Sequence, residues 1–459
     1  MKKMNLTTQA KWLGAIVLVA VTARVTSALL QGNVVETLPG LYDQVSYDLL
    51  ARRVLNGFGF TFPVDHWPAT RAGEPTAHWS YLYTLYLSSV YAIFGPNPIA
   101  ARLIQAAIAG LLQPWLTWRL TKRVFSREVA LVAAAVSALY VYFVYYGGAL
   151  MTESFFILAV LWTLDVAIKI IDAGASASKA EWIRLGLAIG CATILRQVFL
   201  LFVPFLLGFL LWMTQRAVPG LRQRFQASVA GVLIAAATVM CLILPWTVRN
   251  YLAFGRFALL NSSAGFAFYW ANHPIHQTSF VPILPDNGPS YGDLIPGSVA
   301  GLNEVALDQE LLRRGLHFVQ EDPVRYLHLS LSRAREYFKF WPSPESSRLS
   351  NVARVGSFGL LLPFVLLGSV LCLAAVYKDR ARHSTKANRA AVGLLYLFVV
   401  VFTLIHLLSW SLIRYRIPVD AVLVIFAANG LLCLVPRLDI FSETPEPNHF
   451  LKSFPESAR

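Results

Sequence analysis

The feature that most constrains this chain is a recurrence of apolar runs close to twenty residues long. A helix needs roughly 20 predominantly apolar residues to cross the hydrocarbon core of a bilayer. Runs near that length fall at 12–30, 98–118, 129–147, 154–171, 183–197, 198–214, 227–247, 356–376, 390–409 and 417–435. The chain is therefore expected to fold as an all-α polytopic membrane protein with about ten transmembrane helices.

With 56% hydrophobic and only 14% charged residues, a water-soluble fold is set aside. A net charge of +14 would suit a nucleic-acid binder, but no Lys/Arg run sits on an otherwise polar domain. The basic residues fall in short loops between apolar runs and are read as topology, so no nucleic-acid partner is expected. Cys191, Cys241, Cys372 and Cys433 all lie in apolar runs, where they act as small hydrophobes rather than a disulfide framework. The N-terminal run has the charge order of a signal peptide. It is long, carries Arg24 and lacks a clear small-residue cleavage site, so it reads as a retained first helix.

The segment "HWSYLYTLYLSSVYAIFG" (78–95) decides the topology. If it crossed, the basic loop "RLTKRVFSRE" (119–128) would lie opposite "MKK" and Lys11. If it lies in the interface, which suits its Tyr and Trp content, the basic loops at 119–128, 172–184, 215–226 and 378–389 all share one face with both termini. That face is expected to be cytoplasmic. The extracytoplasmic face then carries residues 31–97, the turn "GGALMTE" (147–153), a loop from 248 to 355, and "SLIRYR" (411–416). The expected organisation is a transmembrane module (1–247) with a juxtamembrane loop (31–97), an extracytoplasmic cap (248–355), and C-terminal helices with a cytoplasmic tail (356–459). Within the cap, 261–301 is Gly/Pro/Ser-rich. Asn303 then reads as an N-cap with Glu304 in the first turn, and Asp322-Pro323 as the start of a second helix to about Trp341.

Three constellations could carry chemistry. In "YDQVSYDLLARRVLNGFGF", helical spacing turns Asp43 and Asp48 away from each other, so they cannot act as a paired acid and base. Asp48 has Arg52 at i+4. Asp43 is free to serve a site, or simply to cap its helix. Glu153, at the start of a span, shares a membrane face with Asp43; the helix dipole alone would explain an acid there, yet two carboxylates on one face could also hold a metal or position a hydroxyl. Arg196, Arg249, Arg414 and Arg416 gather on the same face and suit a lipid phosphate, although each could merely anchor at the membrane boundary. Inside the spans, Asp165 and Lys169 stand at i,i+4 and are expected to neutralise each other, while His406 reads as a hydrogen-bonded helix contact. Arg24 and Asp420 also lie in spans. No nucleotide-binding, HExxH or CxxC pattern occurs.

In their order these segments resemble the GT-C superfamily of polyprenyl-phosphate-sugar glycosyltransferases, in its protein-mannosyltransferase and aminoarabinose-transferase branch (glycosyltransferase families 39 and 83). "YDQVSYDLLARRVLNGFGF" resembles the first juxtamembrane helix of that family, and "GEPTAHWSYLYTLYLSSVYAIFGPNPIAARLIQA" the second with its following span. "ALMTESFFILAVL" resembles the second acidic turn, and "PWTVRNYLAFGRFALLNSSAGFAFYWANHP" and "LLSWSLIRYRIPVDAVLVIFAA" the later landmarks. The resemblance implies Asp43 as general base and Glu153 as the second acid, the two being candidate ligands of a divalent cation (Mg, Mn or Zn). It places Arg249, Arg414 and Arg416 at the lipid phosphate, joined by Arg196, Tyr47, Glu74 and His78 as further substrate-binding candidates. Two places depart from the family pattern: "HWSYLYT" replaces a proline-rich run, and Arg196-Gln197 replaces Arg-Pro.

The implied function is transfer of a sugar, with inversion, from a polyprenyl-phosphate donor to an extracytoplasmic acceptor: a protein, a glycolipid or a cell-wall polymer. The implied setting is a bacterial inner membrane. A lipid-substrate transporter or flippase, and a non-catalytic membrane scaffold, are the alternatives. The topology makes a direct prediction: single cysteines at Ser126 and Ser290 should label from opposite sides of sealed vesicles, and labelling from one side overturns the assignment.

Overall fold

A computed structural model of the chain describes residues 6–37, 42–215, 221–285, 287–299, 301–344, 346–378 and 386–434. The Pro39-Gly40 break, both chain ends, the expected C-terminal tail and parts of the basic loops at 215–226 and 378–389 lie outside these residues.

The N-terminal half comprises α1 (Leu6–Gln31), α2 (Asp43–Leu55), α3 (Tyr81–Phe94), α4 (Pro98–Val124), α5 (Arg127–Leu139), α6 (Val141–Gly148), α7 (Glu153–Ala173), α8 (Lys179–Leu195), α9 (Val203–Gln215) and α10 (Leu221–Phe254). The cap contributes α11 (Ala264–Asn272), α12 (Glu304–Glu321), α13 (Pro323–Tyr337) and α14 (Arg348–Arg354); α15 (Leu360–Lys378), α16 (Lys386–Leu408) and α17 (Ile413–Leu434) complete the chain. Among the described residues, eight helical segments are long and apolar enough to cross a membrane, and α5 with α6, bent by 52°, makes a ninth. The expected span at 183–197 is α8, whose 17 residues pack between α7 and α10. Helix α3 has 14 residues, about 21 Å at 1.5 Å per residue, and packs on α2, α8 and α4 rather than continuing as a span. Helix α10 runs through the expected boundary at 247 to Phe254.

Helix α7 is apolar all round and sits among α4, α8, α16 and α17, which ties the C-terminal spans to the N-terminal ones. At the α15–α17 crossing a Cβ on Gly368 would lie 1.9 Å from the Phe426 carbonyl, and one on Gly430 2.3 Å from that of Phe364. Only glycine permits backbones this close, a common device for joining helices in lipid.

Ionisable residues inside the spans are held by partners. Arg24 donates to the Ala138 and Ser137 carbonyls and to Gln113 Oε1 (3.1, 3.1 and 3.2 Å), fixing α1 to α4 and α5. Asp165 does not pair with Lys169 as expected; Arg119 and Arg123 of α4 take it at 2.9 and 2.7 Å. Two guanidiniums from a packed neighbour outcompete one ammonium on the same helix, because each offers a planar fork of donors. His406 contacts the Trp410 carbonyl at 3.2 Å and stacks on Tyr415.

The cap follows its sequence signals at α12 and α13. Asn303 Oδ1 accepts from the Ala306 amide (2.9 Å) and Asp322 Oδ1 from the Arg325 amide (2.8 Å), each capping its helix. Helix α11 lies inside the stretch expected to be irregular. Its Phe266, Tyr269 and Trp270 bury against Leu307 and Leu311 of α12, and a Cβ on Gly265 would collide with the Asp308 carbonyl. Asp308 Oδ1 accepts the Gly265 and Phe266 amides at 2.8 and 3.1 Å.

Burial raises the Asp308 carboxyl to about 7, against the opposing pull of those amides. A carboxyl raised on folding stabilises fully below its unfolded value and loses that contribution as pH rises through the folded one. Thermal unfolding followed by tryptophan fluorescence should therefore report a less stable cap at pH 8 than at pH 5, and Asp308→Asn should flatten the difference. An unchanged slope in that variant would remove Asp308 as its source.

Candidate active site

Three chain segments distant in sequence meet beside the first turns of α2, α7 and α17. Asp43 opens α2; it does not cap the helix by a side-chain bond, since the N-cap is Tyr42. Its Oδ2 lies 3.0 Å from Nη1 of Arg414, the second residue of α17. The same Nη1 stands 3.7 Å from Oε1 of Glu153, the first residue of α7. Glu153 Oε1 also receives Arg196 Nη2 at 2.5 Å, and Arg196 Nε donates to Thr152 Oγ1 at 2.9 Å. Two carboxylates and two guanidiniums therefore form one chain: Asp43, Arg414, Glu153, Arg196. Helix N-termini favour carboxylates, which suits both acids. Tyr415 lies under the cations, its ring 5.1 Å from the Arg414 guanidinium and 5.4 Å from that of Arg196.

Arg102 brings the acids together. Its Nη1 donates to Gln44 Oε1, Gln31 Oε1 and the Gly148 carbonyl at 3.0, 2.9 and 2.9 Å. Gln44 Oε1 also accepts the Leu150 amide at 3.0 Å, so α2 is stitched to the turn that launches α7. Neither residue was singled out from the sequence. An arginine within the first turns of an apolar helix was the available signal, because burying that charge is expensive without a structural return.

The other expected site residues separate. Asp48 pairs with Arg52 at 2.8 Å, as its spacing predicts, and accepts Tyr91 Oη at 2.6 Å. Tyr47 is buried against Trp79 and Tyr83, its oxygen accepting the Ser80 amide at 3.3 Å, so it packs behind the site rather than facing a ligand. Burial, with Asp43 nearby, pushes its phenol well above the usual range. Glu74 is exposed and faces Arg71 at 3.9 Å. Arg416 is buried and held by Asp420 at 2.9 Å and the Tyr337 carbonyl at 2.7 Å; it is a structural tie, not a surface cation. Tyr140 Oη donates to the same Asp420 at 2.7 Å. Arg249 donates to the Thr76 carbonyl and Asn250 Oδ1 at 2.9 and 3.1 Å and lies over the rings of Phe60 and Tyr81.

His78 lies between the first loop and the cap. Its Nδ1 is 2.9 Å from the Ser262 carbonyl, and burial lowers its pKa despite the pull of Glu304, so it donates there as a neutral ring. Glu304, expected only as a first-turn acid, is the buried clasp of that junction. It accepts Thr70 Oγ1 (2.6 Å), Thr76 Oγ1 (2.7 Å), the Ala77 amide (2.8 Å) and Ser262 Oγ.

Asp43 and Glu153, the candidate ligands of a divalent cation, are each engaged by a guanidinium, and Glu153 Oε2 has no hydrogen-bond partner. Among the described residues no group of three His, Cys, Asp or Glu side chains converges on a point. The two acids already share Arg414, and Arg196 completes their neutralisation. A dication would be placed against two guanidiniums.

Residues 80–248, less than half of the chain, match the family described as dolichyl-phosphate-mannose-protein mannosyltransferase. That stretch contains Glu153 and Arg196 but neither Asp43 nor Arg414. No curated protein sequence matches the chain. Among solved structures, the oligosaccharyltransferase AglB of Archaeoglobus fulgidus, in complex with an inhibitory peptide and a dolichol-phosphate, superposes with a TM-score of 0.57 at 17% identity. The match covers 92% of this chain and 50% of that one. The same enzyme in complex with Zn and sulfate gives 0.54 at 16% identity, over 91% and 49%. ArnT of Cupriavidus metallidurans bound to undecaprenyl phosphate gives 0.49 at 14% identity, over 93% and 61%. The chain thus shares the helical membrane fold of these archaeal oligosaccharyltransferase structures, and it spans about half their length.

Glu153 is fully buried between two cations, so Glu153→Gln should cost about 3–5 kcal/mol of stability, the scale seen when one partner of a buried pair is removed. A thermal-unfolding midpoint within error of the parent would show that Glu153 does not neutralise them.

Proposed function

We propose that this chain is an integral membrane glycosyltransferase that moves a sugar from a polyprenyl-phosphate donor to an acceptor on the extracytoplasmic face. The carrying observation is the placement of Arg414 between Asp43 and Glu153. One cation able to grip a phosphate there touches the one acid open to solvent: Asp43 keeps 19% of its side chain exposed, whereas Glu153 keeps none. The partial match to a mannosyltransferase family and the fold shared with the archaeal oligosaccharyltransferase support the same reading.

In this reading Asp43 is the general base. It takes the proton of an acceptor hydroxyl or amine as that group attacks the anomeric carbon, and the bond from that carbon to the lipid-phosphate oxygen breaks on the opposite side, giving inversion. The oxygen keeps the bonding pair. Arg414 and Arg196 meet the growing phosphate charge with fixed, always-charged donors, and Glu153 holds both in place. Arg249, whose described partners are carbonyls, the Asn250 amide, the Tyr81 hydroxyl and aromatic rings, is a further candidate for the lipid phosphate. Zinc accompanies sulfate in one archaeal relative; no step here is routed through a metal, because the paired arginines occupy that role. A donor that already carries a phosphate leaving group needs no nucleotide, and confinement of both substrates to one membrane surface contributes to their alignment.

The transporter alternative began from Arg24, Asp165 and His406, and each of these is engaged in contacts between or within helices. The test is transfer from labelled polyprenyl-phosphate sugars by purified protein. Asp43→Asn should lower the rate by about 10²–10⁴-fold in protein that still inserts and folds, and unaltered transfer would sink the mechanism. Activity should also survive exhaustive chelation with EDTA; loss that added Mg, Mn or Zn restores would return the cation to the site.

A further inference from the structure

Helix α13 has a buried edge and an exposed one. Leu329, Ser330, Arg333 and Tyr337 are buried toward the spans and the rest of the cap. At about 100° per residue, Val324, Leu327 and Leu331 share another edge and are 64%, 58% and 63% exposed. Beside that edge His328 and Arg335 are exposed, while Lys339, past the end of the helix, pairs with Glu336 at 3.3 Å.

The height of this helix is fixed by bonds to the ends of spanning helices. Tyr326 Oη donates to the Leu408 carbonyl at 2.8 Å and Arg333 Nη1 to that of Leu407 at 3.3 Å, both at the last turn of α16. Arg416, in the first turn of α17, donates to the Tyr337 carbonyl. Beyond Tyr337 the exposed apolar surface continues through Phe338, Leu349 and Val352 to Leu360, where α15 begins.

We propose that α13 lies in the bilayer interface on the cap side, with Val324, Leu327 and Leu331 in the acyl boundary and His328 and Arg335 at the lipid phosphates. A helix packed on protein along one edge, apolar along the next and basic beside it matches the division of an interfacial helix. Continuity with the lipid-facing surface of α15 identifies lipid as the occupant. A second copy of the chain fits less well: the stripe is three side chains on one helix edge, against roughly 20–30 residues a side in a stable interface, and pairing it would bring two copies of Arg335 together. Through Arg416 and Tyr337, the depth of α13 then helps set the N-terminal end of α17, which carries Arg414.

The test uses the full chain with its four cysteines replaced by alanine, reconstituted in phosphatidylcholine vesicles containing a minority of phosphatidylglycerol. Nitroxides are placed singly at Val324, Leu327, Leu331, His328 and Arg335. The three stripe sites should collide severalfold more often with oxygen than with a water-soluble nickel chelate, and His328 and Arg335 should show the reverse. Preferential nickel access at the stripe overturns the proposal, as does protection from both reagents with spin–spin broadening, which would mark a second copy. Three independent stripe positions keep the measurement decisive if one labelled variant fails to fold.

Discussion

One guanidinium shared by two acids organises this molecule. Arg414 is drawn to Asp43 at the start of α2 and to Glu153 at the start of the most enclosed spanning helix described, so three remote parts of the chain converge on one nitrogen. In a largely apolar surrounding a charge is tolerated only with a partner, which makes such a pairing a constraint on packing as much as a result of it. Arg196 extends the pairing to the end of α8, and Arg102 fixes the approach of α2 to the turn before α7. The same economy recurs at Asp165 and Asp420, each met by arginine.

The cap is joined to this centre by polar clasps and aromatic packing. Glu304 gathers hydroxyls and an amide from the first loop, and His78 reaches the Ser262 carbonyl, so loop and cap are held together. Trp67 stacks on Tyr42 beside Asp43 and on Trp270 of the cap, linking the start of α2 to the same junction. Burial of Glu304 without a cation is supportable because every acceptor position it offers is met by a donor.

Local sequence logic proved reliable wherever a partner lies within one or two turns. Asp48 with Arg52, the caps at Asn303 and Asp322 and a hydrogen-bonded His406 were all legible, because helix geometry fixes those separations. The Asp165–Lys169 pairing followed the same logic and failed, since packing of α4 against α7 supplied two better donors. Arg416 looked like its neighbour Arg414, but rotation by one position and a further step along α17 turned it toward Asp420 and the interior.

The sequence by itself determined the class of molecule: apolar run length demands membrane-spanning helices, and the placement of basic loops sets an expected face for each acid and arginine. It also narrowed the acids near the membrane surface to Asp43 and Glu153, by sending Asp48 to its own helix. Only the tertiary structure decided that these two acids face a common arginine, that a second arginine closes the charge balance, and that Arg416, Tyr47 and Glu74 have other partners. Helical periodicity fixes directions within a segment, whereas the meeting of helix ends depends on how whole segments pack, and no local pattern carries that information.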